Sequence, residues 1–396
     1  MPSNTDEPFH DDGNGVPPPL LSQNFASTTR NQEIARRQLG DRGDVTVTAA
    51  IPLWIGLVSD HVELGSGLAG YIRSSQSIAV AIAESGSNFD EIVLNGERFL
   101  FDRSNVETEE EEAWYQIAVE LVTVIAASDK VVVSISTDAT NLGSDSFLAS
   151  FRMALCSVLN DYRQRESGTY EFGSVRNLTT VSSHSHLDDQ RIKICAADPD
   201  AGYAFARSGS EDVRSASPVQ DAAVCWIVIE LRDSALYRKD RVLSLTRKIE
   251  HKLRSKGFGD ISKGSAFERS EMQIAIDALP RRLRPWGRFL LSEGHLSEKY
   301  FEAIQQSDWQ LLGGLIQFSG QTQIDSGEFD PKPIEILTDG FEASFPDSLY
   351  GARYTDLGNS VLLLMNNISE PDVLNLVRIA FKTELAYCPE MIMLPN

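Results

Sequence analysis

The sequence predicts an α+β protein built as two lobes, and three observations support this prediction. The chain has 396 residues, enough for two domains of ordinary size or for one large bilobal fold. Apolar residues make up 42% and charged residues 23%, which is typical of a chain that buries a sizeable core. Strand-like and helix-like runs are mixed without strict alternation, and this favours α+β layers over a doubly wound parallel sheet.

The charge balance restricts the classes of partner. The chain carries 57 acidic and 36 basic residues, a net charge of −21, which argues against nucleic-acid binding and against docking on anionic membranes. No apolar run approaches the roughly 20 residues that span a bilayer, and the acidic N-terminus does not resemble a secretory signal. We therefore expect a cytoplasmic protein, in which the four widely spaced cysteines are reduced. The oligomeric state stays open.

The first half of the chain contains mostly strand signals. Residues 1–30 are rich in Asp, Asn, Ser and Pro and are expected to form a disordered tail. Helices are predicted at 31–39, 114–127 and 147–162, and strands at 45–48, 51–58, 72–82, 92–101 and 131–136. Asn95-Gly96 interrupts the run 92–101 and is a hairpin-turn signal. The acidic run 109–112 suits the first turn of the helix that follows it.

The second half, from about residue 215, contains mostly helix signals. Strands are predicted at 222–231 and 361–365, and helices at 242–254, 271–279, 284–291, 298–306, 309–319 and 372–384. We place the boundary between an N-terminal domain, 31–213, and a C-terminal domain, 214–396, where this composition changes.

Two short motifs have ordinary interpretations that fit them better than their functional ones. Gly65, Gly67 and Gly70 fit GxGxxG, but the residues after them are strand-like, whereas a dinucleotide site needs a helix there. A glycine-rich turn between strands accounts for the pattern. His184 and His186 resemble the start of a metallohydrolase site, but Asp189 stands where that motif has its third histidine. No serine-hydrolase or P-loop motif occurs.

A more informative stretch is IPLWIGLVSDHVELGSG, residues 51–67. Asp60, His61 and Glu63 lie between an apolar run and a glycine-rich turn, where they could bind a polyhydroxylated ligand, although an exposed acidic turn gives the same pattern. The stretch resembles the first motif of galactokinase-type GHMP kinases, A-P-G-R-V-N-L-I-G-E-H-T-D-Y-N-G-G. The resemblance implies that these three side chains bind sugar hydroxyls. Trp54 stands where the family has arginine.

The turn at 140–149, TNLGSDSFLA, falls where that family has P-x-G-x-G-L-S-S-S-A-A. Such a loop holds ATP phosphates with backbone N–H groups at the start of a helix. The resemblance implies that Gly143, Ser144 and Ser146 bind the nucleotide, with Ser146 also holding Mg²⁺. Asp145 places a negative charge beside the expected triphosphate, which should repel it unless Mg²⁺ intervenes.

The remaining matches follow in the family's order. Asp189-Gln190 is similar to the family's D-Q, which implies that Asp189 is the catalytic base. Three later segments also resemble the family: 288–293 its R-H-x-x-x-E helix, Ser319-Gly320 its S-H pair, and 351–358 its motif G-A-R-M-T-G-G-G. The last match implies that the backbone at Gly358 supports the phosphates. Phe289 and Gly320 replace histidines of the family pattern.

The resemblance covers roughly residues 30–396 and implies a two-lobed GHMP kinase fold. The N-terminal lobe would resemble ribosomal protein S5 domain 2 and the C-terminal lobe a ferredoxin-like fold. The implied activity is an ATP- and Mg²⁺-dependent sugar 1-kinase acting on a monosaccharide. In an active kinase, Arg152, Arg353 or a lysine from elsewhere in the chain would have to replace the arginine lost at Trp54. The alternative is a catalytically silent homologue that binds a sugar or a protein partner, and both stay open at this stage.

The named residues also have plain structural interpretations. His61 fits a hydrogen-bonded structural histidine as well as a ligand. Asp189 fits a helix cap or a loop carboxylate as well as a base. For Arg353 a structural role is favoured, and Trp54 is expected to pack in the core beneath the turn.

Overall fold

The computed structural model describes residues 20–42, 45–47, 50–58, 68–101, 113–125, 130–167, 194, 201–207, 213–216, 224–231, 236–258, 269–355, 358–366 and 370–394. The helices are α1 Leu20–Gln38, α2 Ala113–Ile125, α3 Asp145–Ser167, α4 Leu236–Ser255, α5 Arg269–Ala278, α6 Arg284–Gln305, α7 Trp309–Asp325, α8 Lys332–Ser344 and α9 Glu370–Leu385. The strands are β1 Thr46–Val47, β2 Ile51–Val58, β3 Leu68–Glu84, β4 Asp90–Leu94, β5 Glu97–Phe101, β6 Val131–Thr137, β7 Tyr203–Arg207, β8 Val213–Ala216, β9 Val224–Glu230, β10 Leu349–Thr355, β11 Ser360–Asn366 and β12 Glu390–Leu394.

Strand β3 organises the first sheet. It is 17 residues long and pairs with β1, β2, β6 and β7, and the main strand order is β5-β4-β6-β3-β7-β8. Its small and β-branched residues, IAVAIA at 78–83, are buried on both faces. One face packs on α2 and α3 and the other on α1, so the strand is covered on both sides. This sheet forms the N-terminal lobe.

The turn between β4 and β5 confirms the hairpin signal. Asn95 has φ 48° and Gly96 has φ 95°, both in the left-handed region that a two-residue hairpin turn requires. Asn95 also accepts a hydrogen bond at Oδ1 from the backbone N–H of Thr137, 3.0 Å away. The turn is thereby tied to the end of β6.

The second sheet has the order β10-β11-β9-β12 with every neighbouring pair antiparallel. Helices connect β9 to β10 and β11 to β12, whereas β10 and β11 form a hairpin, so the topology is ferredoxin-like, with a long helical insertion before β10. Its core is formed by side chains from the sheet and from α4 to α9, centred on Trp286, Phe289 and Phe341. This confirms the fold expected for the C-terminal lobe.

A third apolar cluster joins the lobes. It combines residues of β2, β3 and β7 with residues of β9, β11, β12, α6 and α7. The indole N–H of Trp226 donates to the Tyr203 hydroxyl across 2.7 Å, and Thr355 Oγ1 donates to the Gly56 carbonyl across 2.6 Å. Apolar packing and hydrogen bonds therefore hold the two lobes together.

Several sequence predictions need correction at their boundaries. Helix α1 begins at Leu20, inside the segment expected to be a tail. Residues 68–70, which end the GxGxxG pattern, already lie in β3, so no helix follows those glycines. One continuous helix, α6, replaces the two predicted at 284–291 and 298–306. The predicted domain boundary at 213/214 falls within β8, and it stays a prediction.

Candidate functional site

The loop between β6 and α3 is closed by its own side chains. Gly143 N–H donates to Asn141 Oδ1 over 3.1 Å, and Ser144 N–H donates to the Asn141 carbonyl over 3.3 Å. Ser144 Oγ caps α3 by accepting from the Phe147 N–H over 3.1 Å. Gly143 is exposed, whereas Ser144 and Ser146 are buried. Three backbone donors that a phosphate would need thus already have acceptors within the loop or the first turn.

Helix α1 supports this loop through a buried polar network. Asp138, at the loop's start, accepts at Oδ1 from the Ser77 backbone N–H at 2.7 Å and from Asn31 Nδ2 at 3.4 Å. Asn31, only 5% exposed, also donates to Ser77 Oγ and accepts from Ser136 Oγ, at 3.0 and 3.1 Å. Sequence reasoning missed Asn31, because a single polar residue in a short helical pattern does not reveal a partner on another element.

A carboxylate of the C-terminal lobe contacts the loop. Thr140 Oγ1 donates to Glu230 Oε2 over 3.1 Å, and Glu230 ends strand β9. A carboxylate at this place disfavours an approaching phosphate.

Trp54 is completely buried on β2. Its side chain packs with Tyr71, Ala69, Ala204 and Ala206 in a small apolar cluster, which confirms the expectation that it lies in the core. Its indole N–H has no hydrogen-bond partner among the residues that the structure describes. The position thus presents an apolar ring where the family pattern has a cation.

The structure brings together three residues that the sequence singled out in separate segments. Arg353 Nη1 and Glu293 Oε2 form an ion pair at 3.0 Å, and both side chains are fully buried. Ser319 Oγ donates to the other carboxylate oxygen of Glu293 at 2.5 Å. Arg353 Nε donates to the Tyr354 carbonyl at 3.0 Å. Both oxygens of Glu293 and two nitrogens of Arg353 are therefore satisfied.

Tyr300 lies beside this ion pair and stays protonated. Burial raises the pKa of its hydroxyl strongly; the charge of Arg353 opposes that shift, and the charge of Glu293 adds to it. The Tyr300 hydroxyl and the ion pair thus share one buried environment. The expectation that Arg353 could replace a phosphate-binding arginine is wrong, because its charge is neutralised inside the C-terminal lobe.

Arg152 also lies inside the protein. It is 2% exposed on α3, and its charge partly offsets the burial that raises the pKa of the Cys156 thiol to about 12. A guanidinium this deep in the packing of α3 is not displayed on the surface of the phosphate loop. Arg152 as the replacement cation stays a prediction.

Close packing explains why Gly320 replaces the family's histidine. A Cβ atom at Gly320 would lie 2.1 Å from the Ala352 carbonyl oxygen, and one at Gly313, two turns earlier in α7, would lie 2.5 Å from Tyr350 Cβ. Helix α7 therefore lies directly against the backbone of β10, and no side chain fits between them.

Gly358 has an architectural role. Its φ of +92° lies in the left-handed region, which glycine adopts without strain, and the Phe329 ring lies 3.1 Å from where a Cβ would be. That ring stacks on Tyr354 in the core of the C-terminal lobe, with ring centroids 5.1 Å apart. A phosphate role for Gly358 stays a prediction.

Several predicted site residues lie outside the described part of the chain. They are the sugar-binding candidates Asp60, His61 and Glu63, the candidate base Asp189, the candidate metal ligands His184 and His186, and the side chain of Asp145. Their roles stay predictions. Within the described part, no helix is both long and apolar enough to cross a membrane.

Solved structures show what the fold is similar to. Galactokinase of Lactococcus lactis, complexed with galactose, matches with a TM-score of 0.69 at 14% identity, covering 95% of this chain and 98% of that one. Mevalonate kinase of Methanococcus jannaschii matches with a TM-score of 0.53 at 12% identity, covering 90% and 100%. Mevalonate pyrophosphate decarboxylase of Streptococcus pyogenes matches with a TM-score of 0.51 at 9% identity, covering 90% and 98%.

Comparisons of the sequence itself, with family models and with curated proteins, found no match. The structural likeness is nevertheless extensive, since it covers at least 90% of this chain in all three cases. The chain has the two-lobed GHMP kinase fold that the partial motifs implied, and this prediction is confirmed.

Proposed function

We propose that this protein is a monosaccharide-binding protein with a GHMP kinase fold that does not transfer phosphate. The observation that carries this proposal is Trp54, an indole fully buried in an apolar cluster of Tyr71 and several alanines, at the position where the family pattern has arginine. Loss of one electrostatic element of this kind typically lowers a rate by about 10²–10³. An indole carries no charge in any orientation, so the side chain at this position cannot supply a cation.

The phosphate loop supports the same conclusion. The backbone N–H groups of Gly143 and Ser144 already donate hydrogen bonds to Asn141. The Glu230 carboxylate accepts a hydrogen bond from Thr140 at the same loop. The guanidinium of Arg353 forms a buried ion pair with Glu293 and is not available to a phosphate. The described residues thus fit the phosphates of ATP and its Mg²⁺ poorly.

The sugar half of the proposal rests on the resemblance and the fold. Asp60, His61 and Glu63 keep two carboxylates and an imidazole at the motif positions implied to bind sugar hydroxyls. The galactokinase that matches this chain was solved with galactose. A cytoplasmic sugar sensor or sugar-dependent binding partner is the role that these features favour.

A second candidate is an active sugar kinase, in which Asp189 would deprotonate the sugar hydroxyl that attacks the ATP γ-phosphate. Gly143 favours it, because this glycine is exposed and, among the described residues, the Asn141 side chain alone lies within 4 Å of where its Cβ would be. The cap made by Ser144 contributes only about 1 kcal/mol, so a strongly charged ligand could displace it.

Calorimetry on the purified protein separates the two. We would titrate galactose, arabinose and a uronic acid, each with and without ATP·Mg²⁺, and measure ADP release in parallel. Our proposal predicts that one sugar binds and that no sugar-dependent ADP forms. ADP release that requires a sugar and disappears in Asp189→Ala would establish the kinase instead.

The control for the sugar site is Glu63→Gln, which keeps the side chain's size and removes its charge. We expect it to weaken sugar binding by roughly tenfold, the usual cost of one charged hydrogen bond. If no sugar on the panel binds to the wild type, the sugar-binding proposal is wrong.

A further inference from the structure

A groove of about 600 Å³ lies between α4 and the 3₁₀ turn Arg281–Leu283. Four of its lining residues are the cations Arg247, Lys248, Lys252 and Arg282, and the others are Ser244, His251, Pro280 and Leu283. None of its described lining residues is acidic. We call this the basic groove. Such a concentration of positive charge is unexpected on a chain whose net charge is −21.

The cations of the basic groove form no ion pair among the described residues. At the two ends of α4, Arg241 pairs with Glu328 at 2.6 Å and Arg254 pairs with Glu250 at 2.7 Å. Between them, Arg247, Lys248 and Lys252 form no ion pair with any residue that the structure describes.

Lys248 and Lys252 are four residues apart on one face of α4, an arrangement of like charges that destabilises a helix. Arg282 faces them from the adjoining 3₁₀ turn and has no ion pair within the described ranges either. A bound anion would relieve this repulsion.

We propose that the basic groove binds a compact ligand that carries two or more phosphate groups. The volume lies within the roughly 300–1,000 Å³ of ordinary small-molecule sites. Arginine binds phosphate oxygens through paired N–H groups, and Pro280, Leu283 and the aliphatic stems of the lysines give apolar contact to an organic part.

The start of α6, beside the groove, favours the same sign of charge. Leu283, which lines the groove, also precedes this 22-residue helix, and its side chain supplies no cap. The partial positive charge at a helix start stabilises a nearby anion. This contribution adds to the four side-chain cations, which remain the main source of affinity.

A long polyanion fits less well than a compact one. Electrostatic effects at physiological salt extend about 8 Å, so a small ligand experiences mainly the groove. An extended acidic polymer would continue onto the acidic remainder of the surface and be repelled.

The basic groove is independent of the loop at Gly143, because it is built from α4 and from the turn before α6 in the C-terminal lobe. Nucleotide binding in calorimetry therefore has to be assigned to one place or the other. The proposed sugar-binding function and this groove can each fail without the other.

The test uses inorganic tripolyphosphate as the probe, titrated into the full chain by calorimetry. The groove variant is Arg247→Glu with Lys252→Glu. Both side chains are exposed, so folding should be retained and circular dichroism would verify it. We expect the groove variant to lose affinity at least about tenfold, since four like charges act together on one ligand.

Two matched variants make the outcome decisive. Lys299→Glu with Lys382→Glu changes the net charge equally at exposed sites outside the groove, and we expect an affinity within about twofold of wild type. Gly143→Glu places a carboxylate in the phosphate loop, and binding should persist. No binding to wild type, an equal loss in the charge-matched control, or loss in Gly143→Glu would each overturn the proposal.

Discussion

Two positions where the family pattern has arginine differ sharply in this chain. At Arg353 the guanidinium is kept, fully buried and paired with Glu293. At Trp54 it is replaced by an indole that packs against alanines. The cation is thus present where a buried carboxylate pairs with it, and absent where the neighbouring side chains are apolar.

The physical reason lies in the neighbours of each position. Removing Arg353 would leave Glu293 as a buried, unpaired carboxylate, which typically costs about 3–5 kcal/mol. Trp54 has no such partner among the described residues, and the small side chains of Ala204 and Ala206 leave room for its ring. A side chain at position 54 therefore has to fill the space between its apolar neighbours, but it does not have to pair with a charge.

The sharpest test of the comparison is Trp54→Arg. We expect the free energy of unfolding to fall by more than about 4 kcal/mol, since the change removes a large buried ring and introduces an unpaired charge. Urea denaturation of this variant, with Trp54→Phe as the shape-preserving control, measures it. If Trp54→Arg were as stable as wild type and also gained ATP affinity, the distinction between the two positions would disappear.

Breaking the retained pair should have the next largest effect. Arg353→Met is expected to lower the free energy of unfolding by about 3–5 kcal/mol, and Arg353→Met with Glu293→Met by less, because no charge is then left unpaired. The control is Arg254→Met, whose exposed pair with Glu250 should contribute about 0.5 kcal/mol. A double variant less stable than either single one would contradict this account.

The packing of α7 on the strand that carries Arg353 gives a third test. Gly320→Ala should destabilise the protein by about 2–3 kcal/mol, because the new methyl group overlaps the Ala352 carbonyl. Gly314 lies in the same helix with nothing within 4 Å, so Gly314→Ala should instead stabilise by up to about 1 kcal/mol. Thermal unfolding of the two variants distinguishes them by the sign of the shift.

The buried thiol of Cys156, whose pKa is influenced by the nearby cation Arg152, gives a test at alkaline pH. Burial raises the pKa of Cys156 from 9.0 to about 12 despite this cation, so the folded state holds the thiol proton more tightly than the unfolded state. The resulting stability is fully present below pH 9 and is lost as the pH rises towards 12. Cys156→Ala should reduce the slope of unfolding free energy against pH by up to about 1.4 kcal/mol per pH unit. An unchanged slope would show that the thiol does not contribute.

The smallest effect is expected at the phosphate loop. Ser144→Ala removes the cap of α3 and should cost about 1 kcal/mol in stability. Ser144→Asp, which retains a capping oxygen, should restore most of it. Denaturant titration measures both, and a loss well above that of an ordinary cap would indicate a wider structural role for the serine.

Strong local patterns are sufficient to predict many elements. The bounds of β2 match the prediction, and the Asn95-Gly96 signal corresponds to a real hairpin. The short strands β7, β8 and β12 escape prediction, because four or five residues contain too few alternations to stand out. The sequence pattern divides α6 near Gly294, although packing stabilises that glycine inside a helix whose buried residues run from Trp286 to Ile304.

The site is predictable only in part for a different reason. Ordered motif matches identify Glu293, Ser319 and Arg353, but only the fold reveals that these three meet in one buried ion pair. Likewise, the loop around Gly143 lies between a strand and a helix as predicted. The hydrogen bonds by which Asn141 closes this loop cannot be predicted from the spacing of residues in a motif.

The central position of β3 has a consequence for how the chain folds. Ser75, on this strand, donates to the carbonyl of Met393 on β12, a contact between residues 318 positions apart. Contacts so distant in sequence close slowly, because the loop entropy is lost before the contact forms. During synthesis the contact between β3 and β12 cannot form until β12 has left the ribosome. Part of β3 would stay uncovered until then. This waiting period is when the protein would be most exposed to aggregation and most dependent on chaperones.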